Sequence, residues 1–200
     1  MIATRSFLRT LLSAILMLTM ASAYAVEIHN VNVKETEQLG GTNLILNGVG
    51  TRYFALFFKV YVAGLYLPEK TDKAQTAIDM PGPKMIHLVM LRDVGSSTLS
   101  KKLTEDLDNN ISPQELSKLS PSIARMNKLF DERADLKTGD VINLKYMPSQ
   151  GTTIEINGSA VGAPFDDPKF FIALEKVWLG KNPAEERLKK ALLGDNSLSN

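Results

Sequence analysis

The sequence predicts an α+β fold in which helices pack on one face of an antiparallel sheet. Three observations carry that expectation. β-type apolar runs lie on both sides of a helix-patterned middle section. The breaks Leu39-Gly40-Gly41 and Asn157-Gly158 are short enough to turn antiparallel hairpins. The order of elements is strands, helices, strands, helices, not a regular alternation of the βα kind.

From Val26 to Val33 the apolar positions alternate as in a strand, and after Leu39-Gly40-Gly41 a second strand is expected around Asn43–Leu46. Gly48-Val49-Gly50 reads as a strand bend or bulge. The run from Phe54 to Leu67 is apolar on both faces, which predicts one long central strand covered on both sides and ended by Pro68. A short helix is expected over Thr71–Ile78 and a strand over Met85–Leu91. Ser96 or Ser97 then caps a helix to about Asn110, with Leu99, Leu103, Leu107 and Ile111 along one face. Pro113 and Pro121 sit where first helical turns tolerate them, after Ser112 and Ser120, and the helical section runs to about Phe130. Val141–Met147 and Thr152–Ile156 resemble strands. Asp167-Pro168 opens a helix that Gly180 ends, and Asn182-Pro183 opens another that Gly194 ends.

The first 25 residues read as a cleavable export signal: Arg5 and Arg9, an apolar stretch from Leu11 to Met20, then Ala23-Tyr24-Ala25 before the expected cleavage. That apolar stretch is about half the roughly 20 residues a spanning helix needs, and no later segment is long and apolar enough to span a bilayer. A periplasmic or secreted protein is therefore expected, with a domain over residues 26–194 and a polar tail over 195–200. Removing two basic and no acidic residues takes the formal charge from +1 to −1. A near-neutral chain lacks the clustered cations of a general nucleic-acid binder. With no Cys, the exported domain must hold itself together by packing.

His29 and His87 lie far apart and read as sheet residues, so no metal site is expected, and the sequence contains no H-E-x-x-H, G-x-S-x-G or Walker loop. Arg52 follows the glycine-rich bend, where a guanidinium either points into a cleft to take a carboxylate or sits exposed at a strand end. On a two-residue period Lys59 and Tyr61 share an otherwise apolar strand face, as ligand-facing groups or as a snorkelling lysine and a core phenol. Lys102 and Asp106 stand one helical turn apart, the spacing of an ordinary ion pair. Trp178 falls on an apolar helix face as a core residue.

In Leu46-Asn-Gly-Val-Gly-Thr-Arg52, Lys59-Val-Tyr-Val-Ala-Gly-Leu-Tyr-Leu67 and Phe170-Phe-Ile-Ala-Leu-Glu-Lys-Val-Trp-Leu-Gly180, the chain resembles the chalcone isomerase-like family, in particular its exported bacterial branch. The resemblance implies an open-faced β-sandwich, a large antiparallel sheet with a layer of helices and a ligand cleft between them. It also implies one of two jobs, closing a flavanone ring or binding a fatty acid without catalysis. The isomerase's electrophilic Arg matches Arg52 and its Thr falls on Tyr61. Its helical Tyr, Lys and Asn fall on Leu99, Lys102 and Asp106. Leu99 donates nothing and Asp106 would set a negative charge beside an anionic substrate. One lost donor raises such a barrier by about 3 kcal/mol.

Isomerase chemistry is therefore disfavoured, and the expected function is non-catalytic binding of a fatty acid or similar amphiphile. Arg52, Tyr61, Lys59, Lys102 and Asp106 are the candidate ligand-binding residues, with no cofactor. The rival expectations are an isomerase of an unsaturated ketone with a rearranged site, and an envelope interaction module without a ligand.

Overall fold

The computed structural model describes residues 25–55, 57–195 and 197, so the expected export signal lies, except for its last residue, outside the described residues. The strands are β1 (Ala25–Ile28), β2 (Val31–Lys34), β3 (Thr36–Leu39), β4 (Thr42–Phe54), β5 (Phe58–Leu67), β6 (Lys84–Met90), β7 (Val141–Met147), β8 (Gly151–Ile156) and β9 (Ser159–Ala160). The helices are α1 (Ala74–Asp79), α2 (Ser96–Asp108), α3 (Pro113–Asp131), α4 (Pro168–Leu179) and α5 (Glu186–Leu192). β3 to β9 form one antiparallel sheet of seven strands in sequence order, and β1 pairs with β2 as a separate hairpin. The expected α+β architecture is the one observed.

Two apolar cores flank the sheet. Tyr61, Ala63, Leu65 and Leu67 of β5, with Ile86, Leu88, Ile142, Leu144 and Ile154, meet the helices on one face. Val62 and Tyr66 of β5 meet Ile28, Val33, Leu44, Leu46 and Met85 under the β1–β2 hairpin on the other. The doubly apolar pattern of β5 is thereby explained, because both of its faces leave water. The hairpin is pinned by the Tyr66 hydroxyl, which donates to the Lys34 carbonyl at 2.7 Å.

Several boundaries differ from the sequence expectation for identifiable reasons. The Val26–Val33 run is broken at His29 and Asn30, whose φ angles of 52° and 62° make a two-residue hairpin turn, so His29 is a turn residue. The Phe54–Leu67 run is the end of β4 and all of β5, joined by a short loop in which Ala55 has φ 49°. Pro121 lies inside α3. Its face of the helix is exposed, and burial of Leu119, Ile123, Met126 and Phe130 along the opposite stripe offsets a proline cost of about 3 kcal/mol. α2 is capped by Gly95, while the Ser96 hydroxyl donates to the Ala134 carbonyl at 2.6 Å. α5 starts at Glu186, because Asn182 is engaged with the end of α2 through the Asn109 carbonyl and the Asn110 side chain.

The glycine pair in β4 has two uses. The register shifts between Leu46 and Gly48, as a bulge requires, and α5 lies directly against the strand there. A Cβ on Gly48 would stand 2.2 Å from the Ala191 carbonyl oxygen, and one on Gly50 2.6 Å from the Ala191 Cβ. On the far side of the helical layer Lys84 Nζ donates to the Ala77 and Ile78 carbonyls at the end of α1 and to Glu175 Oε2 of α4 at 2.5 Å. One lysine therefore fastens two helices to β6.

Candidate functional site

At one end of the sheet the last residues of β4, the first of β5, the loop after β6 and the helix α2 enclose a cavity of about 440 Å³. Its lining combines an apolar floor of Val60, Leu99 and Leu103 with Arg52, Tyr61, Lys102 and Asp106. Phe54, Arg92, Asp93 and Thr98 are lining residues that stay exposed, which places them at the mouth. The volume falls in the range of small-molecule sites, roughly 300–1,000 Å³, and the mixture of a mainly apolar wall with few polar groups is that of such sites.

Arg52 and Tyr61 are direct cross-strand partners in the β4–β5 ladder, a placement that sets two side chains about 5 Å apart at their Cβ atoms on the same face. The Tyr61 ring is buried, and its hydroxyl accepts from Trp178 Nε1 at 3.1 Å. Burial pushes the phenol up to about 12, so it stays protonated at neutral pH. Among the described residues that proton has no acceptor, and Tyr61 lines the cavity. Trp178 is the core residue its helix pattern indicates, with the added task of orienting the phenol.

Arg52 is already paired. Its Nη1 donates to Glu185 Oε2 at 3.2 Å and to the Tyr53 carbonyl, and the same Glu185 oxygen accepts the Tyr53 backbone N–H at 2.8 Å. Glu185 is the residue before α5, so the seating of α5 on the β4 glycines sets this carboxylate. An internal carboxylate thus occupies one side of the guanidinium. The other N–H groups of the Arg52 fork have no partner among the described residues.

Lys102 bonds Asp106 Oδ1 at 3.0 Å and Glu105 Oε2 at 3.1 Å, and the hydrogen bond to Asp106 chiefly holds its ammonium above the usual lysine range. Asp106 is buried and Lys102 is exposed, so the pair reaches from the wall of the cavity to solvent. The structure therefore brings four of the five candidate residues together. Lys59 is the correction. The register slips between Arg52 and Tyr53, Val60 turns toward the helices beside Tyr61, and Lys59 points out to bond His29 Nδ1 at 3.0 Å. The two-residue period fails there because the bulge twists the strand. Glu185, Arg92 and Phe54 were not among the candidates; Glu185 is 133 residues from its partner, and only the fold brings them together.

The profile of the chalcone isomerase-like family matches residues 25–194. The chain belongs to that family. A fatty-acid binding protein of Arabidopsis thaliana has the same fold, with a TM-score of 0.66 at 16% identity over 88% of this chain and 98% of that one. No curated protein sequence matches the chain. In this chalcone isomerase-like chain the cavity wall carries Leu99 where the resemblance sets the isomerase's tyrosine and Asp106 where it sets an asparagine, and both residues do face the cavity.

Proposed function

We propose that this family member is a non-catalytic carrier that acts after export, in the periplasm, and holds a fatty acid or similar amphiphile in the cavity between α2 and the β4–β5 strands. The observation that carries the reading is the Arg52–Tyr61 cross-strand pair, a guanidinium and a protonated phenol side by side at the edge of a mainly apolar cavity. Such a pair offers charge-assisted donors to a carboxylate, while Val60, Leu99 and Leu103 receive the chain. The fold shared with a protein named for fatty-acid binding supports it. Against ring closure stand Leu99, with no donor, and Asp106, whose charge would oppose a developing enolate.

Titration of the purified protein with hexadecanoate, read by calorimetry beside native mass spectrometry of a gently prepared sample, tests the proposal. Saturable binding with a one-to-one mass is expected. No binding, together with turnover of a hydroxychalcone above the solution rate, would replace it by the isomerase reading. Neither binding nor turnover would favour an envelope interaction module.

A further inference from the structure

Beside the cavity mouth the turn between β4 and β5 carries three phenylalanines that a folded chain ordinarily hides. Phe54, Phe57 and Phe58 are 64%, 81% and 55% exposed, and they are the large hydrophobic residues left exposed among the described residues. All three belong to the tip that joins β4 to β5. Phe54 also lines the cavity, and Arg92, another lining residue, lies 5.6 Å from the Phe58 ring. The same end of the molecule presents cations. Lys59 follows Phe58 directly, and both Lys59 and Arg92 are exposed. Of the acids nearby, Glu185 is paired with Arg52 and Asp93 with Lys137 at 3.1 Å.

We infer that this aromatic tip docks on an anionic lipid surface and sets the cavity mouth against the bilayer. Exposed aromatic rings ringed by Lys and Arg are the arrangement that seats a protein at the interface of an anionic membrane, the rings entering the acyl boundary and the cations meeting the headgroups. A second protein is a poorer fit. The three rings together expose on the order of 400 Å² at about 200 Å² each, half of the roughly 800 Å² per partner that a stable interface needs, and a hairpin tip is convex. A lipid surface needs neither a flat face nor that area. The inference deepens the carrier reading by naming where the amphiphile enters and leaves, and it rests on that reading for its purpose but not for its test.

The test is co-sedimentation of the chain from Val26 onward with vesicles of phosphatidylglycerol or phosphatidylcholine, no fatty acid being added. That chain carries both cores and omits the apolar Leu11–Met20 stretch, which could itself partition into lipid. Binding to the anionic vesicles is expected, weakening as salt is raised. Phe57→Ser should weaken it roughly tenfold with an unchanged melting temperature, since the ring is outside both cores. Arg92→Gln should weaken it about fivefold on the anionic vesicles alone. Absence of vesicle binding, or equal binding by wild type and Phe57→Ser, would overturn the inference. So would a dimer in light scattering that Phe57→Ser dissolves, because the tip would then be a contact between copies. The hexadecanoate titration in vesicle-free solution reads only the cavity, so the failure of either idea is visible apart from the other.

Discussion

At the residue scale the site turns on how one guanidinium divides its hydrogen bonds. Arg52 faces the cavity beside a protonated phenol, yet it already holds Glu185 at 3.2 Å. A charge-assisted bond in a partly dry cleft contributes about 1.5–3 kcal/mol, so Arg52→Ala should weaken hexadecanoate binding about tenfold or more. Tyr61→Phe should cost less, since one neutral donor is lost, with Trp178 Nε1 left to find another acceptor. Glu185→Gln should act in the opposite direction and tighten binding severalfold, because a neutral amide competes less well for the guanidinium. Calorimetry on the three variants with thermal melts as controls separates these effects. Weaker binding by Glu185→Gln would show that the carboxylate positions Arg52 and does not compete with the ligand. Arg52 and Tyr61 were candidates from residue type, strand position and the family resemblance, and both line the cavity. Lys59 was misplaced, because the bulge that rotates it outward arises from pairing with β4 and leaves no mark within β5 itself.

At the element scale the helices meet the sheet through contacts of unequal legibility. Ser112-Pro113-Gln114-Glu115 forms a capping box, the Ser112 hydroxyl accepting from the Glu115 N–H at 3.2 Å and the Glu115 carboxylate from the Ser112 N–H at 3.0 Å. Ser112→Ala should lower stability by about 1 kcal/mol in a denaturant melt without changing ligand affinity, since that end of α3 lies away from the cavity lining. Gly48→Ala should do far more. Its Cβ would collide with the backbone of Ala191, so α5 must lift from β4 or the strand must shift, at about 2 kcal/mol or more. Lifting α5 also moves Glu185, so this variant is expected to change hexadecanoate affinity as well as the melt. An unchanged melt would show that the strand absorbs the methyl. The sequence marked the glycine pair as a bulge from local chemistry, whereas its role as the bed for a helix 140 residues later depends on long-range packing.

At the scale of the whole molecule one buried lysine–carboxyl contact, Lys84 with Glu175, ties the layers together and gives stability a pH dependence. Burial pushes the Glu175 carboxyl up to about 8 from an ordinary 4.5, with the Lys84 ammonium opposing the shift. A carboxyl raised in the folded state binds a proton on folding throughout that interval. Its contribution is therefore full below about pH 4.5 and lost as the pH rises through about 8, at up to roughly 1.4 kcal/mol per pH unit. Melts of wild type should fall across this range, and those of Glu175→Gln should fall less. Parallel profiles would assign the dependence to other groups. The proposed export is tested at the same scale: protein recovered from a periplasmic fraction should begin at Val26 on N-terminal sequencing, and an intact Met1 would refute cleavage.

The sequence by itself determined the α+β class, most of the strands and helices, the hairpin turns at Gly40-Gly41 and Asn157-Gly158, and the family, because each is written in local periodicity, turn chemistry or contiguous motifs. Tertiary structure decided what depends on residues distant in the chain. It split the Phe54–Leu67 run into two strands with a solvent-facing aromatic tip, let α3 continue through Pro121 because its buried stripe outweighs one missing hydrogen bond, and set Glu185 against Arg52. A run of apolar residues reads the same whether it enters a core or lines an opening. Only packing, which fixes the neighbours each side chain meets, distinguishes the two.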